Sequence, residues 1–258
     1  MEHINANVEN AQPRYTALYR IAGAGLLISV LFVLVDIGMS FGGGDVPTGT
    51  WGAAEWFAQF NQDPFLGLRN LGLFNVINLT VSIPLYLALY LLHKRSAPVL
   101  AILALTLVML GTAVYAANNR ALAMLSLSSQ YAEASVVERE VLVSAGTSIL
   151  ATAEDFTPGT FTGFFLSSSG SLLMMAAMLR GRLFGKRISL VGVAGSGALL
   201  IFTIAVTFAP HTFDAMMLLA MVGGLLMLGW NVAMALRMFR LGQADAPQSA
   251  RTAAPVLR

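Results

Sequence analysis

Eight polar residues stand where long apolar runs of this sequence meet polar connections, and their types are those that build a ligand site: Asp36, Arg69, Asn75, Asn78, Asn119, Arg120, Glu154 and Asp155. Carboxylates and guanidinium groups supply charge, and each Asn amide supplies paired donors and acceptors. Asp36 is the one formal charge inside an apolar run away from its edge, where an ionisable group is costly and needs a counter-charge, an amide or water. Arg69 and Arg120 are the bases at its depth, so a salt bridge of Asp36 with one of them is expected. Such pairing is the structural reading of the set. The functional reading is a polar, outward-open pocket that binds a ligand.

Motifs for conventional catalysis are absent. The sequence has no H-E-x-x-H and no Walker loop, and Gly195-Ser196-Gly197 has Ala194 where a nucleophile elbow needs glycine. Gly23-Ala24-Gly25 follows no strand, so it is no dinucleotide fingerprint. The three histidines, His3, His93 and His211, divide between the two sides of the topology below, and no metal centre is expected from them. Glu154 or Asp155 as a general acid or base would lack a nucleophile or a metal to work with. The reading leans away from an enzyme, with no cofactor.

The elements that hold these residues are set by hydrophobicity. The chain has 258 residues, 57% hydrophobic and 11% charged, and no cysteine, with mean hydropathy +0.72. These values belong to a polytopic membrane protein. A hydrocarbon core of about 30 Å takes about 20 apolar helical residues. Six stretches qualify, at 18–41, 65–92, 97–117, 160–179, 188–208 and 213–239. The predicted fold is an all-α bundle of six transmembrane helices over residues 18–240, between a cytoplasmic segment at 1–17 and a disordered cytoplasmic tail at 241–258. Glu2 and Glu9 precede the first span, where a secretory signal wants positive charge alone, so that span is expected to be retained.

Orientation follows from lysine and arginine, which gather in cytoplasmic loops. With the N-terminus inside, 12 of the 15 bases fall on the cytoplasmic side, leaving Arg69, Arg120 and Arg139 outside. The net charge is only +2, and the bases follow the span ends rather than one patch, which argues for a bilayer and against nucleic acid as the partner. Oligomeric state is not legible.

Residues 118–158 become the long extracytoplasmic connection, and "NNRALAMLSLSSQYAEA" opens it. The third span is expected to run on as helix through Leu122, Leu125 and Ser129. Ser135-Val-Val-Glu138 reads as a capping box that starts a second helix with Val137, Val141, Ala145 and Ile149 on one stripe. The prediction is a helical hairpin roofing the bundle, each stripe covered by the other half. In the first outer loop, Gly42–Gly44 give a flexible exit, and Trp51, Trp56, Phe57 and Phe60 recur at near-helical spacing. They read as a short interfacial helix anchored in headgroups. Gly163, Ser167 and Ser171, and Gly192 with Ser196, form small-residue ridges for close helix packing, and Pro84 is expected to bend the second span.

The stretches "AMLSLSSQYAEA", "TPGTFTGFFLSS" and "LLIFTIAVTFAP" resemble recurring segments of a bacterial family of six-span membrane proteins known as a domain of unknown function, family 4386. The resemblance runs from about the first span to the sixth. It implies a multi-pass protein of the bacterial inner membrane, and it carries no catalytic residue onto this chain. Two function classes follow. One is a binding or accessory protein with an outer pocket for a small amphiphile or lipid. The other is a secondary transporter, which ordinarily wants polar groups or broken helices at the bilayer midplane.

Overall fold

The computed structural model describes residues 15–41 and 51–243. Most of the N-terminal segment, the Gly42–Gly44 exit and nearly all of the tail lie outside those residues. In chain order the helices are α1 (Thr16–Phe41), α2 (Ala53–Gln62), α3 (Pro64–Asn70), α4 (Leu73–His93), α5 (Pro98–Asn118), α6 (Ala121–Glu133), α7 (Val136–Ala153), α8 (Pro158–Gly181), α9 (Lys186–Phe208) and α10 (Phe213–Gln243), with a 3₁₀ turn at Pro210–Thr212. There is no strand among the described residues. The chain is an integral membrane protein: α1, α4, α5, α8, α9 and α10 belong to the six segments long and apolar enough to cross a bilayer.

Local sequence explains where these helices begin. Pro64, Pro98 and Pro158 occupy first turns, where a missing N–H is no loss and the fixed φ suits the helix. The Asp63 carboxylate accepts the Leu66 N–H at 3.0 Å. At the start of α7, the Glu138 carboxylate accepts the Ser135 N–H at 2.8 Å and the Ser135 hydroxyl at 2.7 Å. Those bonds hold the Glu138 carboxyl below its usual range.

The second span departs from the expected continuous helix. It breaks between α3 and α4, because Gly72 takes the left-handed conformation at φ +77°, which side-chain-bearing residues adopt at a cost. Helix α4 continues through Pro84. The third span departs similarly: α5 ends at Asn118, and the Asn119 side chain accepts the Ala121 N–H at 3.2 Å to start α6 afresh.

The six long helices form a ring in chain order, each packed on the next, with α10 closing against α1. Neighbours run antiparallel, as paired positions show: Ser29 with Asn78, Tyr115 with Asp155 ahead of α8, Ser171 with Ser196, and Arg20 with the Gly242 carbonyl. Small residues set the closest approaches. A Cβ on Gly111 of α5 would sit 2.8 Å from the Gly163 carbonyl of α8 and would meet the Ser167 hydroxyl, so the small-residue ridge of α8 is a packing surface.

Helices α2, α3, α6 and α7 cap one end of the ring. Their shared core holds Trp56, Phe57, Phe60, Leu71, Met124 and Leu150. This corrects the expectation for the aromatics of the first loop. Trp56, Phe57 and Phe60 are at most 1% exposed, packed on α6 and α7 instead of headgroups. Burying each ring stabilises the cap by about 1.5–3 kcal/mol. The same helix shifts the hairpin stripes by one residue. Ala121, Met124 and Ser128 face inward on α6, and Gly146, Leu150 and Ala153 on α7. Leu122, Val137 and Val141 are 64%, 74% and 66% exposed. The cover comes largely from α2, so the faces turn toward it.

Candidate functional site

Polar groups gather in two zones, one under the cap and one halfway through the ring. Under the cap, Arg69 at the end of α3 is 6% exposed and fully engaged. Its Nε donates to the Asp36 carboxylate at 2.7 Å. One terminal nitrogen donates to the Asp36 carbonyl at 2.9 Å and the Ser40 hydroxyl at 2.7 Å, and the other to Asn70 at 2.9 Å. The ion pair fastens α3 to α1 across the break in the second span.

A second knot lies beside it. In the connector between α7 and α8, ahead of the spanning helix, the Asp155 carboxylate accepts the Tyr115 hydroxyl at 2.6 Å and the Asn75 amide at 2.7 Å. It has no cation partner among the described residues. Burial pushes its carboxyl up to about 6, against the opposing pull of the Tyr115 and Asn75 hydrogen bonds. Phe156 follows with φ +61°, a conformation that costs a non-glycine residue about 1–2 kcal/mol. Its ring is repaid by stacking on Phe164 at 5.5 Å and meeting Phe202 edge-on at 5.2 Å. Asn119 donates to the Leu71 carbonyl at 2.8 Å, and the Glu154 carbonyl accepts the hydroxyls of Thr157 at 2.7 Å and Thr160 at 3.0 Å.

The other zone is a chamber of about 270 Å³ inside the ring, with wall residues from all six long helices. Those residues, among them Ser29 and Asn78, Val108, Ser168, Leu199 and Asn231, come from the middle stretches of their helices, so the chamber sits near mid-depth. Its walls mix leucine, methionine and aromatic surface with hydroxyls and amides, and none of them carries a charged side chain. Some polar groups are paired: the Ser29 hydroxyl with Asn78, Ser82 with the Leu79 carbonyl at 2.7 Å, and Tyr86 with Ser171 at 2.9 Å. Three others are unpaired: the Ser167 hydroxyl and the Trp230 indole N–H, both buried, and Asn231 on α10. Its amide has no hydrogen-bond partner among the described residues, and it is only partly buried, at the chamber wall.

The eight residues expected from sequence therefore separate. Asp36 and Arg69 form the ion pair, Asn75 and Asp155 share the second knot, and Asn119 and Glu154 tie backbone at the same end. Arg120 is exposed at the start of α6, and the ion pair of Asp36 is made with Arg69. Asn78 lines the chamber. Sequence reasoning passed over Ser29, Ser82, Tyr86, Ser168 and Asn231, although an Asn within the apolar run of the sixth span was a readable signal by the same cost argument that picked out Asp36. No group of three or more potential metal ligands occurs among the described residues.

A family model described as a domain of unknown function, DUF4386, matches residues 19–235. No curated protein and no solved structure matches the chain.

Proposed function

The chain belongs to the DUF4386 family, and from that premise we propose that it is a binding or accessory protein of the bacterial inner membrane that holds a small amphiphile in the mid-depth chamber. The observation that carries this reading is Asn231. An amide at membrane depth without a partner loses the full worth of its hydrogen bonds, and here it faces a cavity large enough to supply them. The mixed lining suits a ligand with an apolar body and a polar head. Asp36, Arg69, Asn75, Asn119, Glu154 and Asp155 brace the capped end of this site, and Asn78 takes part in it directly.

The basic residues at the end opposite the cap support cytoplasmic termini and an outward cap. The chain lacks cysteine, so single substitutions test this cleanly. Ser148→Cys on α7 should react with an impermeant maleimide on intact cells, and Ser96→Cys between α4 and α5 should react only after lysis. The reverse pattern would invert the protein.

Mass spectrometry of small molecules and lipids carried by the purified full chain tests the binding itself. A compound present with the wild type and absent from Asn231→Leu supports the reading; identical extracts from both would sink it. Transport is the second reading, favoured by one observation: the chamber is central and touches all six long helices, where alternating-access sites lie. Counterflow of the captured compound in proteoliposomes separates the two, since a binding protein retains it without flux.

A further inference from the structure

We infer that the chamber selects an uncharged ligand, a neutral amphiphile with an amide- or hydroxyl-bearing head and a short hydrocarbon body. The inference rests on the chamber being a binding site, as proposed above. It goes further by naming what the site admits and what it rejects.

Three observations converge. First, the polar lining consists of hydroxyls, the amides of Asn78 and Asn231, and aromatic polar groups, with no acid or base. A carboxylate or ammonium group placed there would leave water for a mid-membrane site without a counter-charge, and such burial is strongly disfavoured. Second, the charges nearest to it are committed elsewhere. Asp36, one turn beyond the lining residue Val33, is bound to Arg69 at 2.7 Å, and Asp155 is bound by Tyr115 and Asn75. Neither is left to neutralise an incoming ion. Third, the free hydrogen-bonding capacity suits a neutral head. Asn231 offers both a carbonyl and an NH₂ group, and Asn78 keeps its NH₂ donors after its carbonyl accepts Ser29. A primary amide or an alcohol can answer both donor and acceptor, whereas a carboxylate can only accept and an ammonium can only donate.

The chamber volume, about 270 Å³, accommodates a short body such as a six-carbon chain with a small head.

The test uses the full chain in nanodiscs and three probes that share chain length: hexanamide, hexanoate and hexylammonium at neutral pH. Trp230 lines the chamber, so its fluorescence, isolated as the difference from Trp230→Phe, reports occupancy. Hexanamide should give a saturable change that Asn231→Leu abolishes. Hexanoate, nearly the same shape but charged, should bind roughly a hundredfold more weakly, as should hexylammonium. Hexanoate or hexylammonium binding as tightly as hexanamide, with the signal still lost in Asn231→Leu, would overturn neutrality while leaving the chamber a site. A response to none of the three, or one that survives Asn231→Leu and so reports bilayer partition, would overturn both this inference and the binding role beneath it.

Discussion

The capped end and the middle of the ring handle polarity in opposite ways. At the capped end the buried charged side chains are saturated: Arg69 spends its donors on Asp36, Ser40 and Asn70, and Asp155 is held by Tyr115 and Asn75. In the middle they are neutral and incompletely used, and Asn231 has no partner among the described residues. Charge is too costly at membrane depth to leave open, so the protein commits it to joining elements. An unpaired neutral amide costs far less, which lets a cavity keep one ready for a visitor. The contrast inverts the usual habit of looking for function at the most polar cluster.

Four measurements sharpen or break that contrast, beginning with the largest effect. Arg69→Ala removes four hydrogen bonds and leaves Asp36 without its cation. Because Asp36 is half exposed, the loss should fall at the low end for a broken ion pair, about 3 kcal/mol in unfolding from mixed micelles. A change under about 0.5 kcal/mol would mean that the capped end is not held by charge.

Gly72→Ala forces a side chain into the left-handed region and against the Tyr115 hydroxyl, 2.9 Å from the Asp155 carboxylate. Strain and the disturbed hydrogen bonds together should cost about 2 kcal/mol. Wild-type stability in this variant would show that the second knot is loose.

The third measurement uses pH. Asp155 has its carboxyl raised to about 6 from 3.8, so the folded state holds that proton more tightly than the unfolded chain. Its contribution to stability is therefore fully present below about pH 4 and is lost as the pH rises through about 6. The melting temperature of the wild type, taken relative to Asp155→Asn, should fall across that window. A flat difference between the two would remove the burial argument for this carboxyl.

The smallest effect on stability belongs to the chamber. Asn231→Leu replaces an unpartnered amide with an apolar group of similar size, so the variant should lose no stability while captured small molecules disappear. A loss of several kcal/mol would place Asn231 among the structural residues and erase the contrast with the cap.

Much of this architecture is legible in local sequence. The runs of apolar residues that form α1, α5, α8, α9 and α10 are long enough to leave little choice, since a backbone in hydrocarbon must satisfy its own hydrogen bonds. The Asp36–Arg69 pair is legible as one of two options, because the cost of a buried charge does not depend on which partner relieves it. The Ser135–Glu138 box is legible because it is made within four residues.

What tertiary structure decided was orientation about helix axes and the choice among partners. Sequence reads Trp56, Phe57 and Phe60 as headgroup anchors, since the same amphipathic pattern serves lipid or protein, and only the placement of α2 against α6 and α7 makes them a core. It likewise turns the α6 and α7 faces by one residue, a rotation of about 100° that local periodicity could not fix. The chamber needs closure of the ring. Ser29, Asn78, Ser168 and Asn231 lie on four helices far apart in the chain. Composition puts them at membrane depth, but their meeting depends on how six backbones pack through small residues, a long-range geometry that no single stretch encodes.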